Sequence, residues 1–186
     1  MTDDKDLAPE RLDLLESLGA HRGFLLRAAA GLSDEQARHR STVSELTIGG
    51  LIKHVAAVEA SWAQFMLTGR QGGVPDNVDW SNFDSSDPST LDPDMVRAYQ
   101  DGFRLLAGET LAATIEHYRR VAEATDDLVR GLDLDRSFPL PPMPWFEPGA
   151  TRTVRRTVIH IIAETAQHAG HADIIREAID GAKTMG

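Results

Sequence analysis

Apolar residues recur along most of the chain at three- and four-residue intervals, the period of amphipathic helices. From Pro9, which suits a first helical turn, Leu12, Leu15, Leu18, Phe24 and Leu25 keep this spacing as far as Ala30. Gly19 and Gly23 interrupt the pattern and Gly31 is placed to stop it. Ser33-Asp-Glu-Gln36 is a capping-box pattern and predicts a short helix to about His39. Thr47 is placed to cap a second long helix, whose apolar face is Ile48, Leu51, Val55, Val58, Trp62 and Phe65 and which ends near Leu67. The Gly49-Gly50 pair in its first turn is poor in helix propensity but allows another backbone to approach closely. A short helix is expected over Asp94–Arg104. A third long helix, capped by Thr110, carries Leu111, Ile115, Tyr118, Val121, Ala122, Thr125 and Leu128 inward and runs to about Arg130. The fourth runs from about Thr153 to Ile179, and Gly181 ends it.

Between these helices the pattern fails in two places. Gly69 to Thr90 is rich in Gly, Asp, Ser and Pro and reads as a long surface loop. Phe138 to Gly149 is too rich in proline to be helical and reads as an ordered crossover. Residues 1–6 are expected to be disordered. There is no internal repeat and no strand alternation of useful length. The fold class predicted is all-α: a four-helix bundle with long crossover loops and short accessory helices, occupying residues 1–186 as one domain. The long links permit neighbours that are not consecutive in sequence.

The stretch His160-Ile-Ile-Ala-Glu164-Thr-Ala-Gln-His168-Ala-Gly-His171 carries the candidate chemistry. Residues four apart on a helix share a face, so His160, Glu164, His168 and His171 are expected on the stripe that holds Ile161, Ile175 and Ile179, facing the interior. Buried ionisable groups are costly unless paired or metal-bound. His54 projects from the face of the second helix that bears Leu51, Val58, Trp62 and Phe65. Together with Glu164 and His168 it would make a set of two imidazoles and a carboxylate, suited to Zn²⁺, Ni²⁺ or Fe²⁺ with positions left for water and substrate. His160 and His168 lie roughly 12 Å apart along the helix axis, too far to share one ion. The pairs 160/164, 164/168 and 168/171 stay open on periodicity alone. Asp173, about 140° round the helix from His168, is not a ligand candidate. His160 reads as structural, and His21, His39 and His117 as surface or rim residues.

Composition narrows the function. A net charge of −10 argues against nucleic acid or an anionic membrane as partner, either of which calls for a basic patch. The absence of cysteine excludes disulfides, thiolate zinc sites and a cysteine nucleophile, leaving His and carboxylate to hold any metal. The polar N-terminus is not a signal peptide, and no apolar run reaches the ~18 residues of a membrane span, so the default compartment is the cytoplasm. Lys53, Arg152, Arg155 and Arg156 are candidates to meet an anionic substrate. Trp80 and Trp145, in irregular segments, are candidates to roof a pocket, with packing of loop on bundle as the other reading.

The run Leu46-Thr-Ile-Gly-Gly-Leu-Ile-Lys-His54-Val-Ala-Ala-Val-Glu-Ala-Ser-Trp62 resembles the second helix of the DinB-like (YfiT-like) metalloenzyme superfamily. Glu164-Thr-Ala-Gln-His168-Ala-Gly-His171-Ala-Asp173 and the residues to Gly181 resemble the fourth helix, closest to an actinobacterial subfamily of unknown function with an HAGHAD motif. The resemblance spans essentially the whole chain. It implies a divalent metal, Zn²⁺ or Ni²⁺, held by one His of helix two and two residues four apart on helix four. By motif these are His54, Glu164 and His168. Many members have His where this chain has Glu164, and the His–Glu–His form is similar to the mycothiol-dependent isomerase branch. The resemblance further implies thiol-dependent transferase or isomerase chemistry, with a low-molecular-weight thiol such as mycothiol or bacillithiol as cosubstrate and a small-molecule electrophile as substrate. A chain without cysteine is compatible with a sulfur that comes from the cosubstrate. His171 is the candidate catalytic residue, as an outer group supporting His168 or as a proton shuttle. The alternatives are a metal-dependent hydrolase in the same pocket, or a non-enzymatic bundle that binds metal or a small ligand. A homodimer through an exposed apolar helix face is a further hypothesis.

Overall fold

Three of the four long helices start where a side chain can satisfy the amides that a first turn leaves without partners. In the computed structural model, which describes residues 7–72 and 92–184, Thr47, Thr110 and Thr153 accept from the backbone N–H of Gly50, Ala113 and Arg156. The helices they open are α3 (Ile48–Thr68), α5 (Leu111–Gly131) and α6 (Val154–Asp180). α1 (Pro9–Ala28) starts on proline instead. The Ser33–Gln36 capping box forms with both of its bonds and opens α2 (Asp34–Arg38). α4 (Pro93–Gly102) is the remaining short helix. Gly69 and Gly181 close α3 and α6 with φ of 76° and 77°, a left-handed conformation that glycine adopts without steric cost. The expectations for residues 1–6, for Trp80 and for most of the 69–90 loop concern residues outside those described.

The four long helices form the expected all-α bundle. α1 packs on α6, α6 on α3, α3 on α5 and α5 on α1, so α1 and α3 stand diagonally although they are consecutive long helices. The proline-rich crossover adds a feature absent from the sequence reading. Ser137–Pro139 (β1) and Thr151–Thr153 (β2) pair antiparallel, with Phe138 opposite Arg152. Three residues a side are too few to show an alternation.

Two apolar clusters fill the bundle. One centres on Leu25, Ile48, Leu51, Ile52, Val55, Tyr118, Ala172 and Ile175. The other centres on Leu18, Trp62, Phe65, Met66, Val129, Val158 and Ile161. Leu14, not Leu12, is the buried residue at the start of α1, and Leu12 is partly exposed. Arginines tie helix ends together: Arg176 of α6 donates to the carbonyls of Ala28, the last residue of α1, and of Ala30 just past it, and Arg11 donates to Val129 and Leu132 at the end of α5. Cationic groups complement the negative end of a helix.

Sequence patterning gave no sign of one buried polar unit. Glu59 of α3 is fully buried on the face toward α1 and α5. Arg22 of α1 meets both its oxygens, Nε at 3.3 Å from Oε2 and Nη2 at 2.5 Å from Oε1, and reaches Asp126 of α5 at 2.7 Å. Burial works against the Arg22 charge, but Glu59 and Asp126 outweigh it and raise its pKa. The Tyr118 hydroxyl is likewise pushed up, by burial first and then by the Glu59 charge.

The Gly49-Gly50 pair does permit a close approach. A Cβ at Gly50 would stand 1.8 Å from the Phe103 carbonyl oxygen, and one at Gly49 would stand 2.5 Å from Leu105 Cδ1. The chain leaving α4 therefore crosses directly over the first turn of α3, and this crossing delivers Phe103 to His54.

Candidate metal centre

The α6 residues fall beside the buried stripe rather than on it. The buried line of α6 is Val154, Val158, Ile161, Thr165, Ala169, Ala172 and Ile175. His160, Glu164 and His168 lie one residue behind Ile161, Thr165 and Ala169, about 100° round the helix. Their side chains retain 25%, 30% and 12% exposure. The expectation put them on the stripe of Ile161, Ile175 and Ile179 facing the interior, and the structure corrects it. The half-open position leaves them reachable by a small molecule.

His54 comes to this edge from α3. Its ring stacks on Phe103, with centroids 3.9 Å apart and planes 21° from parallel, and meets the His168 ring edge-on at 5.0 Å. One donor atom each from His54, Glu164 and His168 lie within 4.8 Å of one another, a group that could hold a metal ion. Two ligands of one ion at ~2.1 Å stand about 3.4–4.2 Å apart. His168 Nε2 and Glu164 Oε2, at 3.7 Å, already meet this, and a small side-chain adjustment brings His54 in. The other Glu164 oxygen, Oε1, lies 3.7 Å from His160 Nε2. His160 itself sits edge-on to Trp62 at 4.9 Å. His171 Nδ1 is 3.4 Å from His168 Nδ1. A His168 that offers Nε2 toward Glu164 keeps its proton on Nδ1, so that proton points at His171.

The electrostatics favour neutral imidazoles, the form that binds metal. Burial, and then the charge of His168, bring the His54 pKa down to about 4 from its ordinary 6.5. Burial and then His171 lower that of His168. Burial and then Arg152 lower that of His160, with Glu164 opposing. The folded pKa of His54 lies below the unfolded value, so between the two the unfolded chain binds a proton that the folded chain refuses. Stability from neutral His54 is complete above about pH 6.5 and is lost as pH falls toward 4. On going from pH 7.5 to 4.5, the Tm of metal-free wild type is expected to drop about 2–4 °C further than that of His54→Gln. Equal drops by calorimetry would remove His54 as the source.

Two of the four cations that sequence offered for an anionic substrate are engaged elsewhere. Lys53 Nζ binds Glu109 at 2.7 Å and 2.8 Å. Arg155 is held by Glu10 and Asp135. Arg156 is exposed, and Arg152 lies against Trp62. Trp145 is 56% exposed and meets Phe146 edge-on. His39 and His117 are exposed and His21 is partly so. Asp173 accepts from the Thr184 N–H and hydroxyl at 2.6 Å, fastening the chain beyond α6. Sequence reasoning missed Phe103. It lies at the end of an accessory helix, and only the Gly49-Gly50 pair hinted that something lands there. A hollow of 650 Å³ is lined by Tyr99, Phe103, Arg104, Arg40 and Leu46. Phe103, which stacks on His54, links it to the site.

A helical bundle with a half-open His–Glu–His cluster between two of its helices defines a protein of the DinB-like class. Within that class the chain belongs to the mycothiol-S-transferase family, whose sequence profile matches residues 13–181. Among solved structures it is similar to a conserved protein from Enterococcus faecalis, with 13% identity and a TM-score of 0.63 over 95% of this chain and 99% of that one, a likeness of fold. A search of curated proteins found no match. No helix among the described residues is long and apolar enough to cross a membrane.

Proposed function

We propose that this protein is a metal-dependent S-transferase that joins a small thiol of the mycothiol or bacillithiol type to a small electrophile, with His54, Glu164 and His168 as the ligands of a Zn²⁺ or Ni²⁺ ion. The observation that carries the reading is the convergence of these three donors from two helices within 4.8 Å, in a chain of this family. A divalent ion held there would supply the Lewis acidity that keeps a thiol ionised near neutral pH. The chain's own residues do the positioning. Phe103 stacks on His54 and fixes its ring plane. Glu164 brings the negative charge that favours a cation. With His168 Nε2 given to an ion, the Nδ1 proton of His168 would be donated to His171 Nδ1, 3.4 Å away, which would hold that tautomer. Its second nitrogen is then the atom through which His171 would exchange protons with the substrate. With no cysteine in the chain, the reacting sulfur is the cosubstrate's. A cytoplasmic location and a homodimer belong to the same proposal. Ile159 and Ile174, 45% and 65% exposed on α6, are apolar surface that supports the second.

The test is consumption of mycothiol, bacillithiol or glutathione against monochlorobimane, with the protein loaded with Zn²⁺ or Ni²⁺ and again after chelation. Conjugation by at least one thiol, falling about a hundredfold or more on chelation, is the expected result. Full activity after chelation would sink the metal-dependent reading. Metal-loaded protein that conjugates none of the three thiols would sink the transferase reading.

A further inference from the structure

Arg152 has no acidic partner among the described residues. Its guanidinium lies over the Trp62 ring at 4.5 Å from the centroid and 5.6 Å from that of Phe146. Both contacts are made over aromatic rings. They do nothing for the N–H groups, and Nη1 is buried with no hydrogen-bond partner among the described residues. A buried donor without an acceptor costs about 1–3 kcal/mol. Acids are not scarce in a chain with 29 Asp and Glu against 19 Lys and Arg. The charge that acts on it is nonetheless another cation: burial, and then Arg156, depress the Arg152 pKa. The position is fixed by the β1–β2 pairing, which sets Arg152 opposite Phe138.

The same arginine adjoins the candidate metal centre. Trp62, beneath Arg152, meets His160 edge-on at 4.9 Å, and His160 Nε2 lies 3.7 Å from Glu164. The positive charge of Arg152 reaches His160 directly. Arg152 as a whole is only half-buried, and the contacts through Trp62 and His160 link its guanidinium to Glu164.

We infer that Arg152, walled by Trp62 and Phe146 and backed by Arg156, is the docking point for a carboxylate on the electrophilic substrate. A planar carboxylate matches the in-plane donors of a guanidinium. Placement of the acceptor near the centre rests on the proposed transferase function. The carboxylate site itself does not, and it can be read without turnover.

Benzoate and its neutral counterpart benzamide are titrated calorimetrically into the full-length protein, loaded with Zn²⁺ and after chelation. The variants are Arg152→Gln and Arg152→Lys, with thermal unfolding recorded for each. Benzoate is expected to bind the chelated wild type, roughly tenfold or more tighter than benzamide and than it binds Arg152→Gln. Arg152→Lys keeps the charge but not the fork, and should fall between. Three outcomes each overturn the site: benzamide binding as well as benzoate, Arg152→Gln binding benzoate like wild type, or benzoate binding only when metal is present. If Arg152→Gln does not fold, Arg152→Lys and the benzamide comparison decide. Because the chelated protein is measured, loss of the transferase reading would leave this result standing, and the reverse.

Discussion

His168→Ala is expected to abolish both retention of divalent metal and metal-dependent thiol conjugation. The substitution removes one of two imidazoles from a three-donor set, and no described side chain on α6 can replace it. His171 is held on the far side of His168, Nδ1 to Nδ1 at 3.4 Å. His160 lies beyond Glu164. Loss of a mere outer-shell partner weakens metal affinity or activity about 10- to 100-fold, so loss of a ligand should exceed a hundredfold. The fold should survive, because His168 stands beside the buried stripe and belongs to neither apolar cluster. The checks are metal content per chain by mass spectrometry after dialysis, bimane conjugation rate, and Tm without metal. A His168→Ala protein that keeps one metal per chain would remove this residue from the site. His171→Ala, losing only the support, should lie in the 10- to 100-fold range.

The largest expected stability change is at the other side of α3. Arg22→Met leaves Glu59 fully buried without its cation. Breaking a buried pair from one side costs about 3–5 kcal/mol. For a chain of this size each kcal/mol lowers Tm by about 2–4 °C, so a drop of roughly 6–20 °C is expected by calorimetry. Asp126, 27% exposed, can be resolvated and adds little to the penalty. Replacing both partners, Arg22→Met with Glu59→Leu, should recover much of the loss, because an apolar pair of similar volume often matches a buried ion pair. A single-variant drop below about 2 °C would mean that water reaches Glu59.

Local signals in the chain were strong enough to place the helices. The caps at Ser33, Thr47 and Thr110 and the glycine stop at Gly181 act over three or four residues, a range that sequence displays directly. The four polar residues of α6 were legible as one face by the same periodicity. Their depth was not, since a face shows which side chains stand together and not how far the neighbouring helix covers them. Glu59 shows the same limit from the other direction. A carboxylate amid apolar residues looks like an exposed position until Arg22 arrives from another helix.

By itself, then, the sequence determined an all-α bundle, the face on which His160, Glu164, His168 and His171 stand, and, through its resemblance, the family. The resemblance also grouped His54 with Glu164 and His168; the tertiary structure gave the distance, donor atoms within 4.8 Å, and alone decided that Phe103 closes over His54. It also decided that Arg152 is left over Trp62 without an acidic partner among the described residues while Lys53 and Arg155 are neutralised. The division has one physical cause. Helix period and capping are set by neighbours in the chain, whereas distances between helices depend on how whole faces pack, which no single segment encodes.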